Sequence, residues 1–125
     1  MAPMYYRGAK AAICVFDVTS EESFDRVTTW LRDLKAHADP NVVICLAGNK
    51  CDQQPGFDLA RAEAAAAELG GGFFKTSALT GDGVQEAFES LSRSVFDAFQ
   101  SRRSSKELDG IRLNYEPEAA PKGCC

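Results

Sequence analysis

Two short polar stretches hold the residues with evident chemical capacity. Asn49-Lys50-Cys51-Asp52 follows the apolar run Val42-Val43-Ile44-Cys45-Leu46-Ala47, and Ser77-Ala78 follows Phe73-Phe74 by two residues. The combination fits the edge of a guanine base. Guanine presents an N1–H and an exocyclic amine as adjacent donors, which one carboxylate such as Asp52 accepts bidentately. Adenine lacks that donor pair, so the same carboxylate selects against it. A hydrogen bond to a charged partner contributes about 1.5–3 kcal/mol, more than a neutral one. Asn49 suits either the purine edge or a tie between neighbouring loops. The Lys50 stem can lie along the flat base with its ammonium in water. Ser77 can brace Asp52, and the Ala78 backbone N–H can reach the guanine carbonyl. Taken alone, Asn-Lys-x-Asp also fits an ordinary turn. Its place after a buried strand, with Ser77-Ala78 one strand later, is what points to guanine.

The elements around these stretches must bring them together. The run from Val42 to Gly48 is apolar at successive positions, as in a parallel strand covered on both faces. In such sheets ligands bind beyond the carboxyl ends of the strands, where Asn49, Lys50 and Asp52 emerge. Ala11 to Phe16 is a shorter apolar run ending at Asp17, and Met1 to Ala9 before it show no clear periodicity. Thr19 and Glu22 have capping-box spacing, so a helix is expected there. Phe24, Val27, Leu31 and Leu34 form its apolar face, and Asp39-Pro40 ends it. Pro55-Gly56 marks a turn. Asp58 to Leu69 is an alanine-rich helix with Asp58 as expected N-cap and Gly70 as its stop. Gly72 to Thr76 is a third strand. Asp82 is the expected cap of a last helix bearing Val84, Phe88, Leu91, Val95 and Phe99 at helical spacing. Alternating strands and helices mean an α/β fold with a mainly parallel sheet.

The 125 residues allow one domain, expected over residues 1–100, with residues 101–125 as a solvated tail of polar residues, prolines and mixed charge. The net charge of −4 offers no basis for binding nucleic acid. No apolar run approaches the ~18 residues of a membrane span, and no secretory signal is visible. Cys14 and Cys45 lie in apolar runs, Cys51 in the polar cluster and Cys124-Cys125 at the end. This odd number without framework spacing favours reduced thiols. His37 lies near no cysteine pair, which argues against a metal site.

Read together, these motifs resemble the C-terminal part of a Rab-type small GTPase of the Ras superfamily. Asn49-Lys50-Cys51-Asp52 is similar to the family's guanine-specificity motif, and Thr76-Ser77-Ala78 to its second base-binding loop. Leu79 departs from the lysine that usually follows, removing a cation near the base edge but not the Ala78 backbone donor. Tyr5-Tyr6-Arg7-Gly8-Ala9 and Phe16-Asp17-Val18-Thr19 resemble segments that separate Rabs from other small GTPases. With Glu21-Glu22-Ser23-Phe24 they look most like the early-endosomal branch. The likeness runs from Met1 to about Gln100 and resumes at Cys124-Cys125.

The resemblance implies a partial P-loop GTPase (Ras-like) fold in three layers, lacking the N-terminal strands and phosphate loop, with GTP or GDP as the ligand. No Gly-x-x-x-x-Gly-Lys-Ser/Thr occurs in the sequence. Gly70-Gly71-Gly72-Phe73-Phe74-Lys75-Thr76 has phenylalanine where glycine must precede the lysine, and reads as a helix stop followed by a strand. The family's Asp-x-x-Gly-Gln element and the threonine-bearing switch that completes its magnesium site are also absent from these residues. Phosphoryl transfer depends on positioning and charge neutralisation at the phosphates, so hydrolysis by these residues alone is not expected. The resemblance therefore implies an N-terminally incomplete chain (an incomplete gene model, a fragment or a short isoform) and an exposed apolar edge at the Ile13 strand.

The resemblance also makes Cys124 and Cys125 geranylgeranylation sites, against the alternative of incidental surface cysteines. Tail charges nearly cancel, leaving no polybasic second membrane signal, so anchoring would rest on two prenyl chains. Implied partners are Rab escort protein, geranylgeranyl transferase, GDP-dissociation inhibitor and effectors. Implied localisation is the cytoplasmic face of endosomal or other vesicle membranes with a cytosolic pool, in vesicle traffic. The alternative is a non-enzymatic module that binds the prenylation machinery or Rab partners. Ser104-Ser105 beside Arg102-Arg103 reads as solvated linker or as a phosphorylation site.

Overall fold

Three apolar runs become the three strands of one parallel sheet: β1 (Ala11–Asp17), β2 (Val43–Asn49) and β3 (Phe73–Lys75), in the order β1-β2-β3. The computed structural model describes residue 4 and residues 6–108. Register aligns Ala11 with Val43 and Asp17 with Asn49 along β1 and β2, and Leu46 with Phe73 along β2 and β3. Because the strands are parallel, their carboxyl ends, and the loops that leave them, share one edge of the sheet.

The sheet is covered on both faces. Helices α1 (Glu21–His37) and α2 (Ala60–Leu69) share a core with Cys14, Phe16, Ile44 and Leu46. Alternate strand residues point to opposite faces, so Cys45 and Ala47, also buried, face the other side, where α3 (Val84–Leu108) packs on β2. The result is the expected three-layer α/β arrangement. Phe16 is the centre of the first core. Its ring meets Phe24 edge-on at 5.2 Å and stacks on Phe73 at 6.0 Å. Arg61 closes this side, with its guanidinium 5.2 Å from the Phe24 ring centroid and ion pairs to Glu21 and Asp25.

The helix ends differ in detail from the sequence reading. Phe24, Val27, Leu31 and Leu34 are the buried stripe of α1, as their spacing requires, but its N-cap is Ser20, which accepts from Ser23 N–H. The Thr19 side chain is instead turned back toward β1, where its hydroxyl donates to Asp17. For α2 the N-cap position is Leu59, one residue past the expected Asp58, whose carboxylate nonetheless accepts from Ala60 N–H at 3.0 Å; Gly70 ends the helix at φ 70° as expected. Gly71 follows because a Cβ there would meet the Ile44 carbonyl oxygen at 1.8 Å. The triple-glycine stretch is thus a helix stop and a close crossing before β3. Asp82 precedes α3, and its carbonyl accepts from Ser77 N–H.

Helix α3 continues through Leu108, past the expected tail boundary at Ser101. The reason is local: Ser101 to Leu108 contains no glycine or proline to stop a helix. The later tail, Cys124 and Cys125 included, lies outside the described residues, as does Tyr5.

Strand β1 is at the edge of the sheet, with Ile13 half-buried and Val15 exposed. Phe88, Phe96 and Phe99 of α3 are exposed as well. The helical period seen in the sequence is real, but only one flank of that wide apolar arc reaches β2.

Strand β2 is the best-protected element, and Leu46 in it has no exposed surface. Leu46→Ala is expected to cost about 2–5 kcal/mol, a large share of the roughly 5–15 kcal/mol that holds a small domain. Urea unfolding monitored by circular dichroism measures the change.

Candidate base-binding site

The polar residues appear where β2 and β3 leave the sheet. Position 48 must be glycine at this exit, since a Cβ would meet Val18 Cγ1 at 2.8 Å and the rings of Phe16 and Phe73 at 3.1 and 3.2 Å. Thr76 N–H donates to the Gly48 carbonyl at 2.8 Å, and Cys51 N–H donates to the Thr76 carbonyl at 3.0 Å. These two backbone bonds lace the loops together before any side chain acts.

Side chains then complete the link. Ser77 Oγ donates to Asp52 Oδ1 at 2.7 Å. Ser77 is fully buried, whereas Asp52 is exposed. The serine is therefore a rigid brace and the carboxylate the part that faces solvent. An ionised carboxylate has about four lone-pair positions, so one hydroxyl leaves most of its accepting capacity for a ligand. Ser77 Oγ also accepts from Thr80 N–H at 3.1 Å, fixing the hydroxyl's direction. Asn49 Oδ1 accepts from Ala78 N–H at 3.1 Å and from Thr76 Oγ1 at 3.4 Å. Of its two anticipated uses, Asn49 serves as the tie between loops. The Ala78 N–H, anticipated for a base carbonyl, is held by Asn49.

Lys50, on the first of these loops, is fixed from a different side. Its backbone has φ 64°, and it is the only non-glycine residue with positive φ among the described residues. Its ammonium lies 2.9 Å from Asp17 Oδ2. Thr19 donates to the other oxygen of Asp17 through its hydroxyl at 2.6 Å and its N–H at 2.8 Å. The Thr19 hydroxyl first, and then Lys50, push the Asp17 carboxyl down to about 2, while Asp17 raises the Lys50 pKa.

All five sequence-selected residues, Asn49, Lys50, Asp52, Ser77 and Ala78, thus lie on these two laced loops. Sequence reasoning gave Asp17 and Thr19 no place in the site. The available signal was that an apolar run ending in Asp17 would, in a parallel sheet, end beside Asn49. Leu79 is 85% exposed, so it does not pack into the pocket. Among the described residues no cluster of three or more histidine, cysteine or acidic side chains could hold a metal ion.

Comparison with known proteins gives the family. Residues 1–97 match the Ras family. The chain is 35% identical to Ras-related protein Rab-22A of Canis lupus familiaris, across 100% of its own length and 64% of the relative. It is 44% identical to Ras-related protein Rab-5A of Dictyostelium discoideum, across 100% of its own length and 63% of the relative. It is 40% identical to GTP-binding protein ypt3 of Schizosaccharomyces pombe, over 86% of this chain and 51% of that protein. The chain therefore spans just under two thirds of the length of the two Rab relatives.

The Asp17 network has a pH signature. Its folded-state pKa lies below the ordinary 3.8, so its ionised form stabilises the fold fully above that value and loses the effect as pH falls through about 2. The stability advantage of the unaltered chain over Asp17→Asn should be constant near neutral pH and shrink across that acidic window. Urea unfolding at stepped pH measures it.

Proposed function

The chain belongs to the Ras family, and from that membership we propose that its two laced loops recognise the guanine base of GTP and GDP. The carrying observation is the Asp52 carboxylate, braced by buried Ser77 at 2.7 Å at the ends of adjacent parallel strands. Asp52 would accept the two guanine donors, the Lys50 stem would lie against the base plane, and Asn49 would keep the loops in register. Ala78 N–H would reach the base carbonyl on leaving Asn49.

This reading extends to a Rab-type nucleotide switch in vesicle-mediated, endocytic membrane traffic. Its support is the similarity to Rab-22A and Rab-5A across the whole chain, together with the sequence motifs Tyr5 to Ala9 and Phe16 to Thr19. GTP hydrolysis would need phosphate-binding groups beyond those in these residues. In the same reading, residues 1–100 are the C-terminal part of the GTPase domain, with α3 continuing past it, and the remaining tail carries Cys124 and Cys125 as geranylgeranylation sites. These would engage the escort protein, transferase and GDP-dissociation inhibitor, and hold the protein on the cytoplasmic face of vesicle membranes.

Titration with fluorescent GDP and its adenine counterpart tests the base site. Guanine-selective binding that falls about ten- to a hundredfold in Asp52→Ala is expected from the loss of charge-assisted bonds. No guanine selectivity at millimolar ligand would overturn the reading and favour a non-enzymatic binding module. For the tail, mass spectrometry of the protein from eukaryotic cells should find both terminal cysteines carrying geranylgeranyl groups. Unmodified Cys124 and Cys125 would remove the lipid anchor.

A further inference from the structure

Asp17 is fixed more firmly than a solvent-facing carboxylate requires. It ends β1 opposite Asn49, and Val18 N–H donates to the Asn49 carbonyl at 3.0 Å just beyond. One carboxylate oxygen takes both Thr19 donors and the other faces the Lys50 ammonium. With both oxygens engaged, the carboxylate has a single orientation, and it is aimed at the lysine.

Lys50 is held from its other end too. Its left-handed backbone is one that few non-glycine residues adopt, and such a conformation persists only where the surroundings enforce it. Here Gln53 N–H donates to the Lys50 carbonyl at 2.9 Å, and the next residue, Cys51, is tied to Thr76. Backbone and ammonium are both anchored, so the four-carbon stem between them is held at its two ends. The charges facing the ammonium are Asp17 and, more distantly, Asp52.

We propose that Asp17 is a positioning residue of the base site, which holds the Lys50 ammonium so that the lysine stem stands ready as one wall of the guanine pocket. The inference rests on the guanine reading above. Its physical content is preorganisation. An unanchored lysine is rich in rotamers and must lose that freedom when a base stacks on it, whereas an anchored one has lost it beforehand. The pair is half-exposed on the lysine side, where an ion pair contributes little to stability. Its consequence lies in where it puts the stem.

A double-mutant cycle read by GDP affinity tests the assignment. Lys50→Met keeps the stem and removes the ammonium. Asp17→Asn is expected to weaken GDP binding about 2- to 10-fold in the unaltered background, the scale of ordering one long side chain, and to change nothing further in Lys50→Met. Equal losses in both backgrounds would mean that Asp17 supports the loop through Thr19 alone, and would overturn the proposal. No loss in either background would also overturn it. Complete loss of binding in Lys50→Met would show that the ammonium touches the ligand and overturn the stem-wall role. Absence of guanine-selective binding by the unaltered chain would remove the guanine reading and this inference together, an outcome distinct from the others.

Discussion

Burial of β2 on both faces is the constraint from which the remaining geometry follows. A strand covered by α1 and α2 on one side and α3 on the other has no place for a charged side chain until it leaves the sheet. Its sequence obeys this from Val43 to Gly48, and the first polar group, Asn49, appears at the exit. Gly48 sharpens that boundary, because Val18, Phe16 and Phe73 close over it. The rings that exclude a Cβ are the same rings that build the core. Packing therefore sets the position of the site to within one residue.

Parallel pairing then does what neither loop could do alone. β1, β2 and β3 end on the same edge, so Asp17, Asn49 and Thr76 become neighbours although they are distant in sequence. Two carboxylates sit in this small region and are handled differently. Asp17 is neutralised by Lys50 and saturated by Thr19. Asp52 is braced by a neutral hydroxyl from a buried serine. The first is spent on structure and the second is left to accept from a ligand. On the proposed reading, the donor pair of guanine would take up what Asp52 has left.

Much of this was legible in the sequence because it depends on local pattern. The apolar stripe of α1, the stop at Gly70 and the apolar run of β2 each follow from residue spacing and backbone freedom. The choice of N-cap did not, because adjacent Thr19 and Ser20 both have suitable chemistry and a local bond from Thr19 to Asp17 turns one of them aside. The Asp17–Lys50 pair was hidden for a different reason: it exists only once β1 and β2 are aligned. The length of α3 was misjudged from the loss of apolar period at Ser101, although nothing before Gly110 opposes a helix. Pattern reveals the buried face of α1, but on α3 it also picks Phe88 and Phe99, which are exposed. It does not reveal how far an exposed helix runs.

The energetics separate what the site can select from what it can hold. Association costs an estimated 4–15 kcal/mol in lost translational and rotational freedom before any contact is counted. Asp52 offers about 1.5–3 kcal/mol per charge-assisted bond, and the Lys50 stem adds a face of modest area. On the proposed reading, such a set would discriminate guanine from adenine, because the wrong base would leave a carboxylate without donors. With so few contacts set against that cost, the complex would be a weak one. Preorganisation by Asp17 and Asn49 therefore matters most in a site of this kind. With few contacts to spend, each one fixed beforehand raises affinity without requiring a new one.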